Sequence, residues 1–148
     1  SDPCFVFADP IEIHQVIMNL CTNAYQAMEE KGGLIQIDLE PVSLSDDEAG
    51  AVHPQLREGP YIKLRIADTG PGMDSETLKY IFDPFFTTKE RNKGTGLGLA
   101  TVQKIVTELK GGISVESTPG RGSTFILLFP RLVSLESHQG IVQEASNS

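Results

Sequence analysis

Apolar and polar positions alternate along several short segments of the chain, as expected for half-buried strands. Leu34–Leu39 and Tyr61–Ala67 show this period of two most clearly. Two later apolar runs flank the Gly/Pro-rich segment Thr118–Gly122, which predicts a hairpin. With a short apolar run near the start, the pattern predicts five strands, at Cys4–Ala8, Leu34–Leu39, Tyr61–Ala67, Ile113–Ser117 and Ser123–Phe129.

Three other segments carry the helical period. Asp9 fits an N-cap, Pro10 fits the first helical position, and the pair Gly32–Gly33 fits a helix end. The predicted helices run from Pro10 to about Glu30, from Ser75 to Ile81, and from about Gly96 to Leu109. Strands and helices alternate irregularly in this order, which predicts an α+β fold with a mixed sheet.

The remaining segments lack a period. We predict a surface loop at Ser43–Gly59 and a polar loop at Asp83–Thr95. After Pro130 the sequence becomes polar and aperiodic. We therefore expect one folded domain over residues 1–130 and a tail or linker over residues 131–148.

The charge balance narrows the classes of partner. The chain has 148 residues and a formal net charge of −8, which argues against a general nucleic-acid binder. No apolar run approaches the roughly 20 residues that span a bilayer, so we expect no direct membrane insertion by this domain. Cys4 and Cys21 form no CxxC pair, and we expect free thiols in a reducing compartment.

The first predicted helix carries a narrow polar stripe beside its broad apolar face. Asn19 and Asn23 lie one above the other in this stripe, although Asn is a poor residue for a helix interior. One interpretation is a solvated face. The other is ligation, because an amide oxygen is a hard neutral ligand that suits Mg²⁺ carrying phosphates.

Two glycine-rich turns are candidate ligand sites. Asp68–Gly72 follows a strand, so its carboxylate could accept a hydrogen bond from an exocyclic amine such as that of adenine; the alternative is an ordinary tight turn. Gly94–Leu99 opens a helix, and main-chain N–H groups there suit phosphate. Gly94–Leu99 matches neither the Rossmann fingerprint nor a Walker A loop.

The segment between these turns has the composition of a lid. Phe82–Phe86 supplies three aromatic residues, and Lys89, Arg91 and Lys93 form the only local basic cluster of an acidic chain. An apolar latch, glycine hinges and cations are the parts that a loop closing over ATP needs.

The four segments in this order resemble the ATP-binding catalytic domain of bacterial sensor histidine kinases, in the GHKL superfamily. The N box is His14–Ala24, the first glycine box Asp68–Gly72, the F box Phe82–Phe86 and the second glycine box Gly94–Leu99. The resemblance implies the Bergerat ATP-binding fold, a two-layer α/β sandwich with a mixed five-stranded sheet and three helices on one face.

The resemblance also implies roles. Asn23 would coordinate Mg²⁺ with Asn19 next to the phosphates, and both would be catalytic. Asp68 would bind the adenine amine, supported by Thr124 through a water. Gln26 departs from the Lys or Arg that many relatives carry there. The implied nucleotide-binding set is Asn19, Asn23, Asp68, Gly70, Gly72, Phe82, Thr88, Lys89, Lys93, Gly94, Thr95, Gly96, Leu97, Gly98, Leu99 and Thr124.

Position 19 points to phosphotransfer. ATP-hydrolysing members of the superfamily place a Glu there, whereas Asn19 is a poor general base. We expect the domain to pass the γ-phosphate to a histidine on dimerisation helices upstream, in a pathway that continues to a response regulator receiver domain. None of His14, His53 and His138 is followed by an acidic residue, so we expect no self-phosphorylation. The expected location is the cytoplasm, either free or as the cytoplasmic part of a membrane-anchored sensor.

Three alternatives remain open at this stage. The domain could be a nucleotide-binding sensor or scaffold without kinase activity, or a GHKL protein-serine kinase. Ile66–Gly70 also matches the Asp-Thr-Gly motif of a retropepsin-like aspartic protease, in which two Asp residues share a proton.

Overall fold

The computed structural model describes residues 8–84 and 98–131. Four helices and four strands occur in these two ranges. In chain order they are α1 (Pro10–Ala27), β1 (Ile35–Leu44), α2 (Asp46–Val52), β2 (Gly59–Asp68), α3 (Ser75–Leu78), α4 (Gly98–Glu108), β3 (Gly112–Ser117) and β4 (Ser123–Pro130).

The four described strands form one sheet in the order β1-β2-β4-β3, and every neighbouring pair is antiparallel. The prediction of a mixed sheet is therefore wrong for the described strands. The chain does cross over from β2 to β3 through α4, so these two strands point the same way. They do not pair, because β4 forms a hairpin with β3 and lies between them. The predicted strand at Cys4–Ala8 falls almost wholly outside the described residues.

The main core lies between one face of the sheet and the helices α1 and α4. Val16, Leu20 and Ala24 are spaced four residues apart, so they present one buried stripe on α1. Burial of a large apolar side chain such as that of Val16 or Leu20 contributes roughly 1.5–3 kcal/mol. The other buried members are Leu64, Ile66, Ile81, Val102, Ile105, Val106, Phe125, Leu127 and Phe129.

The opposite face of the sheet carries a second, smaller core under α2. Ala49 of α2 packs there with Leu56, Tyr61 and Leu128. The predicted loop at Ser43–Gly59 is therefore wrong, since it contains α2, a fourth helix on the face opposite the three predicted ones. The missed signal is a capping box, in which the side chains of Ser45 and Glu48 each bond the other residue's main-chain N–H.

Strand β1 is also longer than predicted, since it continues past Leu39 to Leu44 and includes Pro41. Among the described strands β1 lies at the edge of the sheet, where a proline without an N–H is tolerated. No helix of the described ranges combines the length and hydrophobicity needed to cross a bilayer.

Candidate nucleotide-binding site

The polar stripe of α1 faces the start of α4. The side-chain nitrogen of Asn19 donates a hydrogen bond to the main-chain carbonyl of Gly98, at 3.3 Å. A Cβ added to Gly98 would lie 3.9 Å from the Cβ of Asn19, so the two helices approach closely here. Asn23 lies one turn further along α1, and both asparagines are half-buried. The structure thus brings the N box and the end of the second glycine box together.

The positive end of the α4 dipole points into this region. Gly98 is the first residue of α4, and the neighbouring Leu99 packs against the main core. Such a terminus favours anionic groups, phosphate above all. The rest of the second glycine box, Gly94, Thr95, Gly96 and Leu97, lies outside the described residues.

Asp68 ends β2 and is held by its own turn. Its Oδ1 accepts a hydrogen bond from the main-chain N–H of Gly70, at 2.9 Å. The next residue, Thr69, is tied to the start of β1 at two points. Its Oγ1 accepts from the N–H of Leu34 at 3.0 Å, and its own N–H donates to the Leu34 carbonyl at 3.2 Å. The Thr69 bonds hold the turn in place, and the Gly70 bond orients the Asp68 carboxylate without occupying all of its acceptor sites.

The Asp68–Gly72 turn packs main chain against main chain on the β3–β4 hairpin. Gly72 has φ +72°, and a Cβ there would overlap the carbonyl of Thr118. Gly122 has φ +83°, and a Cβ there would overlap the carbonyl of Asp68. Two glycines are therefore needed to bring the two turns into contact.

Thr124 and its neighbour Ser123 lie on opposite faces of β4. In the β2–β4 ladder Thr124 stands opposite Ala67, whereas Ser123 stands opposite Asp68. Side chains alternate between the two faces of a strand, so Thr124 points to the face away from Asp68. Ser123 shares the face of Asp68 and is only 8% exposed. The adenine role of Thr124 stays a prediction, and Ser123 is the hydroxyl residue that stands opposite Asp68 in the described sheet.

The F box and the lid are only partly described. Phe82 packs against the main core beside α3. Thr88, Lys89 and Lys93 lie outside the described residues, and their roles stay predictions.

In the described ranges, two side chains have a pKa that departs from its ordinary value. Hydrogen bonds from the main chain and side chain of Thr77 lower the pKa of Asp74, which caps α3. Partial burial raises the pKa of the Cys21 thiol, so this free cysteine of α1 stays protonated near neutral pH.

The side-chain oxygens of this region suit a divalent cation only together with the phosphates of a bound nucleotide. Among residues 8–84 and 98–131 there is no group of three or more His, Cys, Asp or Glu residues placed to hold a metal ion. The amide oxygens of Asn19 and Asn23 are hard neutral ligands, and Mg²⁺ characteristically combines one or two protein ligands with phosphate oxygens and water. The site therefore fits Mg²⁺ carried by a phosphate ligand.

Comparison with known proteins decides the family. A family model described as histidine kinase-, DNA gyrase B- and HSP90-like ATPase matches residues 8–133. The chain belongs to this ATPase family. Membership excludes the aspartic protease alternative, which rested on Ile66–Gly70 alone. The members of this family have several different activities.

Relatives within the family are sensor kinases. The sensor kinase CckA of Brucella abortus is 42% identical over 129 residues, which cover 86% of this chain and 13% of that protein. The chain thus spans a small part of the length of that relative.

Solved histidine kinase structures share the fold. The catalytic domain of histidine kinase ThkA is 33% identical with a TM-score of 0.63, covering 84% of this chain and 71% of that one. Full-length ShkA, solved in complex with AMPPNP, is 25% identical with a TM-score of 0.62, covering 90% of this chain and 24% of that one.

Proposed function

We propose that this chain binds Mg·ATP and donates the γ-phosphate to a histidine on a separate dimerisation and phosphoacceptor region. The observation that carries the proposal is the contact of Asn19 with Gly98, because the start of a helix beside two candidate ligands of α1 suits a phosphate-bearing ligand. Family membership and the AMPPNP bound to ShkA support a nucleotide ligand.

The adenine base would lie against the Asp68–Gly72 turn. Asp68 would accept from the exocyclic amine, and Gly70 and Gly72 would let the flat base approach the main chain. Ser123, which shares the face of Asp68, would be a second polar group near the base.

The phosphates would lie between α1 and the start of α4. Asn23 would bind Mg²⁺, with Asn19 beside the phosphates, and the bound cation would neutralise phosphate charge. The N–H groups that open α4 at Gly98 and Leu99 would bind phosphate oxygens. Lid residues Lys89 and Lys93 and the segment Gly94–Leu97 would complete this end of the site.

Asn19 also explains why the phosphate would go to a histidine rather than to water. An amide has no useful proton affinity near neutral pH, so it does not activate water as a carboxylate does. Phosphoryl transfer depends mainly on positioning and on stabilisation of charge, which this site would provide with Mg²⁺ and the nucleotide bound. The acceptor histidine would come from helices upstream, and a response regulator receiver domain would take the phosphate next, in the cytoplasm.

The experiment is incubation of the chain with γ-³²P-ATP, alone and with the phosphoacceptor region of the same protein. We expect no label on the chain alone and acid-labile label on a histidine of the added region. Stoichiometric label on the chain alone would contradict the proposal. Nucleotide binding without any transfer would favour the sensor or scaffold alternative, and acid-stable label on a serine would favour the serine kinase alternative.

A further inference from the structure

The hydroxyl of Ser117 is the meeting point of three segments around the base side of the site. It accepts a hydrogen bond from the main-chain N–H of Met73, at 2.8 Å, and donates one to the carbonyl of Gly122, at 3.0 Å. Its oxygen also lies 2.8 Å from the Oγ of Ser123. Ser117 is the last residue of β3 and stands directly opposite Ser123.

Proton counting fixes the direction of the bond between the two serines. A hydroxyl has one proton and two lone pairs. Ser117 gives its proton to Gly122 and uses one lone pair for the N–H of Met73. Only a lone pair remains for Ser123, so Ser123 must be the donor in the bond between them.

The hydrogen bond that Ser123 donates to Ser117 determines what Ser123 can offer to a ligand. Ser123 stands opposite Asp68 in the sheet, on the same face. With its proton directed to Ser117, Ser123 offers only lone pairs to a ligand beside Asp68. An ionised Asp68 likewise only accepts. Both groups therefore favour a hydrogen-bond donor at that point of the site.

We propose that Ser117 is a positioning residue that holds Ser123 as a hydrogen-bond acceptor beside Asp68, and so favours a 6-aminopurine over a 6-oxopurine nucleotide. The 6-amino group of adenine donates, whereas the 6-oxo group of hypoxanthine accepts and would face two acceptors. An unpaired polar group inside a site is costly, so the arrangement discriminates. The inference rests on the proposed function and adds to it the residue that orients the base pocket.

The test measures the Kd values of ATP and ITP with Mg²⁺ by isothermal titration calorimetry. The two nucleotides differ at the 6-position of the purine and at N1, which accepts in ATP and carries a proton in ITP; because the N1 difference is the same for every variant, a change in the ATP-to-ITP ratio between variants reports the groups around the 6-position. We expect the unmodified chain to prefer ATP. Ser117→Ala frees the proton of Ser123 to donate to a 6-oxo group, so the preference for ATP over ITP should fall about 3- to 10-fold, the equivalent of one hydrogen bond. Ser123→Ala should also lower it, and the double variant should match Ser123→Ala because Ser117 acts through Ser123.

Two further variants separate positioning from stability. Ser117→Thr keeps the hydroxyl and should keep the nucleotide preference. Ser114→Ala removes a hydroxyl from the same strand on the opposite face, and should change nothing. An unchanged ATP-to-ITP ratio in Ser117→Ala, even with a lower melting temperature, would overturn the inference.

The remaining outcomes also have definite meanings. If Ser117→Ala does not fold, an unchanged ratio in Ser123→Ala overturns the inference. Additive effects in the double variant overturn it too. A folded, unmodified chain that binds neither nucleotide overturns the proposed function itself.

Discussion

The side-chain amide of Asn19 reaches the main-chain carbonyl of Gly98 at 3.3 Å, which joins the N-box helix α1 to the first residue of α4. Because the nitrogen makes this bond, the amide oxygen of Asn19 is the atom available to a ligand. The same contact sets the distance between the asparagines and the N–H groups that open α4. The contact therefore holds these two parts of the proposed phosphate site next to each other.

If Asn23 binds Mg²⁺, its substitution should lower the affinity for nucleotide only when Mg²⁺ is present. Asn23→Ala should weaken the binding of Mg·AMPPNP by about 10- to 100-fold, since an interaction with a charged group contributes roughly 1.5–3 kcal/mol. Binding in EDTA should change much less. The measurement is calorimetric titration in both conditions. Tyr25→Ala, at a position that is 61% exposed on the side of α1 away from Asn23, is the control and should leave the affinity unchanged. An equal loss of affinity with and without Mg²⁺ would show that Asn23 does not bind the metal.

The carboxylate of Asp68 should determine recognition of the base. Asp68→Asn retains an oxygen for the N–H of Gly70 but introduces an N–H₂ donor, so ATP affinity should fall by about 10-fold or more. Asp38→Asn is the matched control, because Asp38 belongs to an ion pair with Arg65 on the opposite face of the sheet. Competition against a fluorescent ATP analogue measures both. An ATP affinity in Asp68→Asn equal to that of the control would show that Asp68 does not contact the base.

Substitution of two glycines that have the same φ distinguishes the cost of backbone strain from the cost of steric overlap. Gly32 and Gly72 both have φ +72°, but a Cβ on Gly32 meets open space, whereas one on Gly72 overlaps the Thr118 carbonyl. Gly32→Ala should lower the free energy of unfolding by about 1–2 kcal/mol, the cost of a left-handed residue with a side chain. Gly72→Ala should cost a further 1–3 kcal/mol or more from overpacking. Urea denaturation measures both, and equal losses would contradict the close packing of the two turns.

The cap of α3 predicts a dependence of stability on pH. The pKa of Asp74 is lowered from 3.8 by hydrogen bonds with Thr77, so its folded-state pKa lies below its unfolded-state value. The cap therefore stabilises the fold fully above pH 3.8 and loses this effect as the pH falls through the folded-state pKa. Asp74→Ala should be less stable than the unmodified chain at neutral pH, and the difference should shrink in acid. Thermal melts over a pH series measure it, and a difference that grows in acid would contradict the assignment.

Periodicity and capping residues predicted most of the fold. The stripe of Val16, Leu20 and Ala24 and the signal of Asp9 with Pro10 defined α1, where the Asp9 side chain accepts from the N–H of Ile11. Local signals of this kind are strong because they come from neighbouring residues. Periodicity does not predict helix α2, because it has only seven residues and its acidic composition is typical of a surface loop; the capping box is its one local signal.

Pairing between distant strands is harder to predict, because no short segment of the sequence indicates which strands become neighbours in the sheet. The insertion of β4 between β2 and β3 made the described sheet antiparallel and decided which face each residue of β4 takes. That register is why Ser123, and not Thr124, stands beside Asp68. The hydroxyl network of Ser117 depends on the same register and has no signature along the chain.

The most direct test of the central claim, that this domain binds Mg·ATP between α1 and α4, is a calorimetric titration of the chain with AMPPNP in the presence of Mg²⁺. We predict saturable binding at one site per chain that ATP displaces. A folded chain that gives no binding with millimolar nucleotide and Mg²⁺ would contradict it.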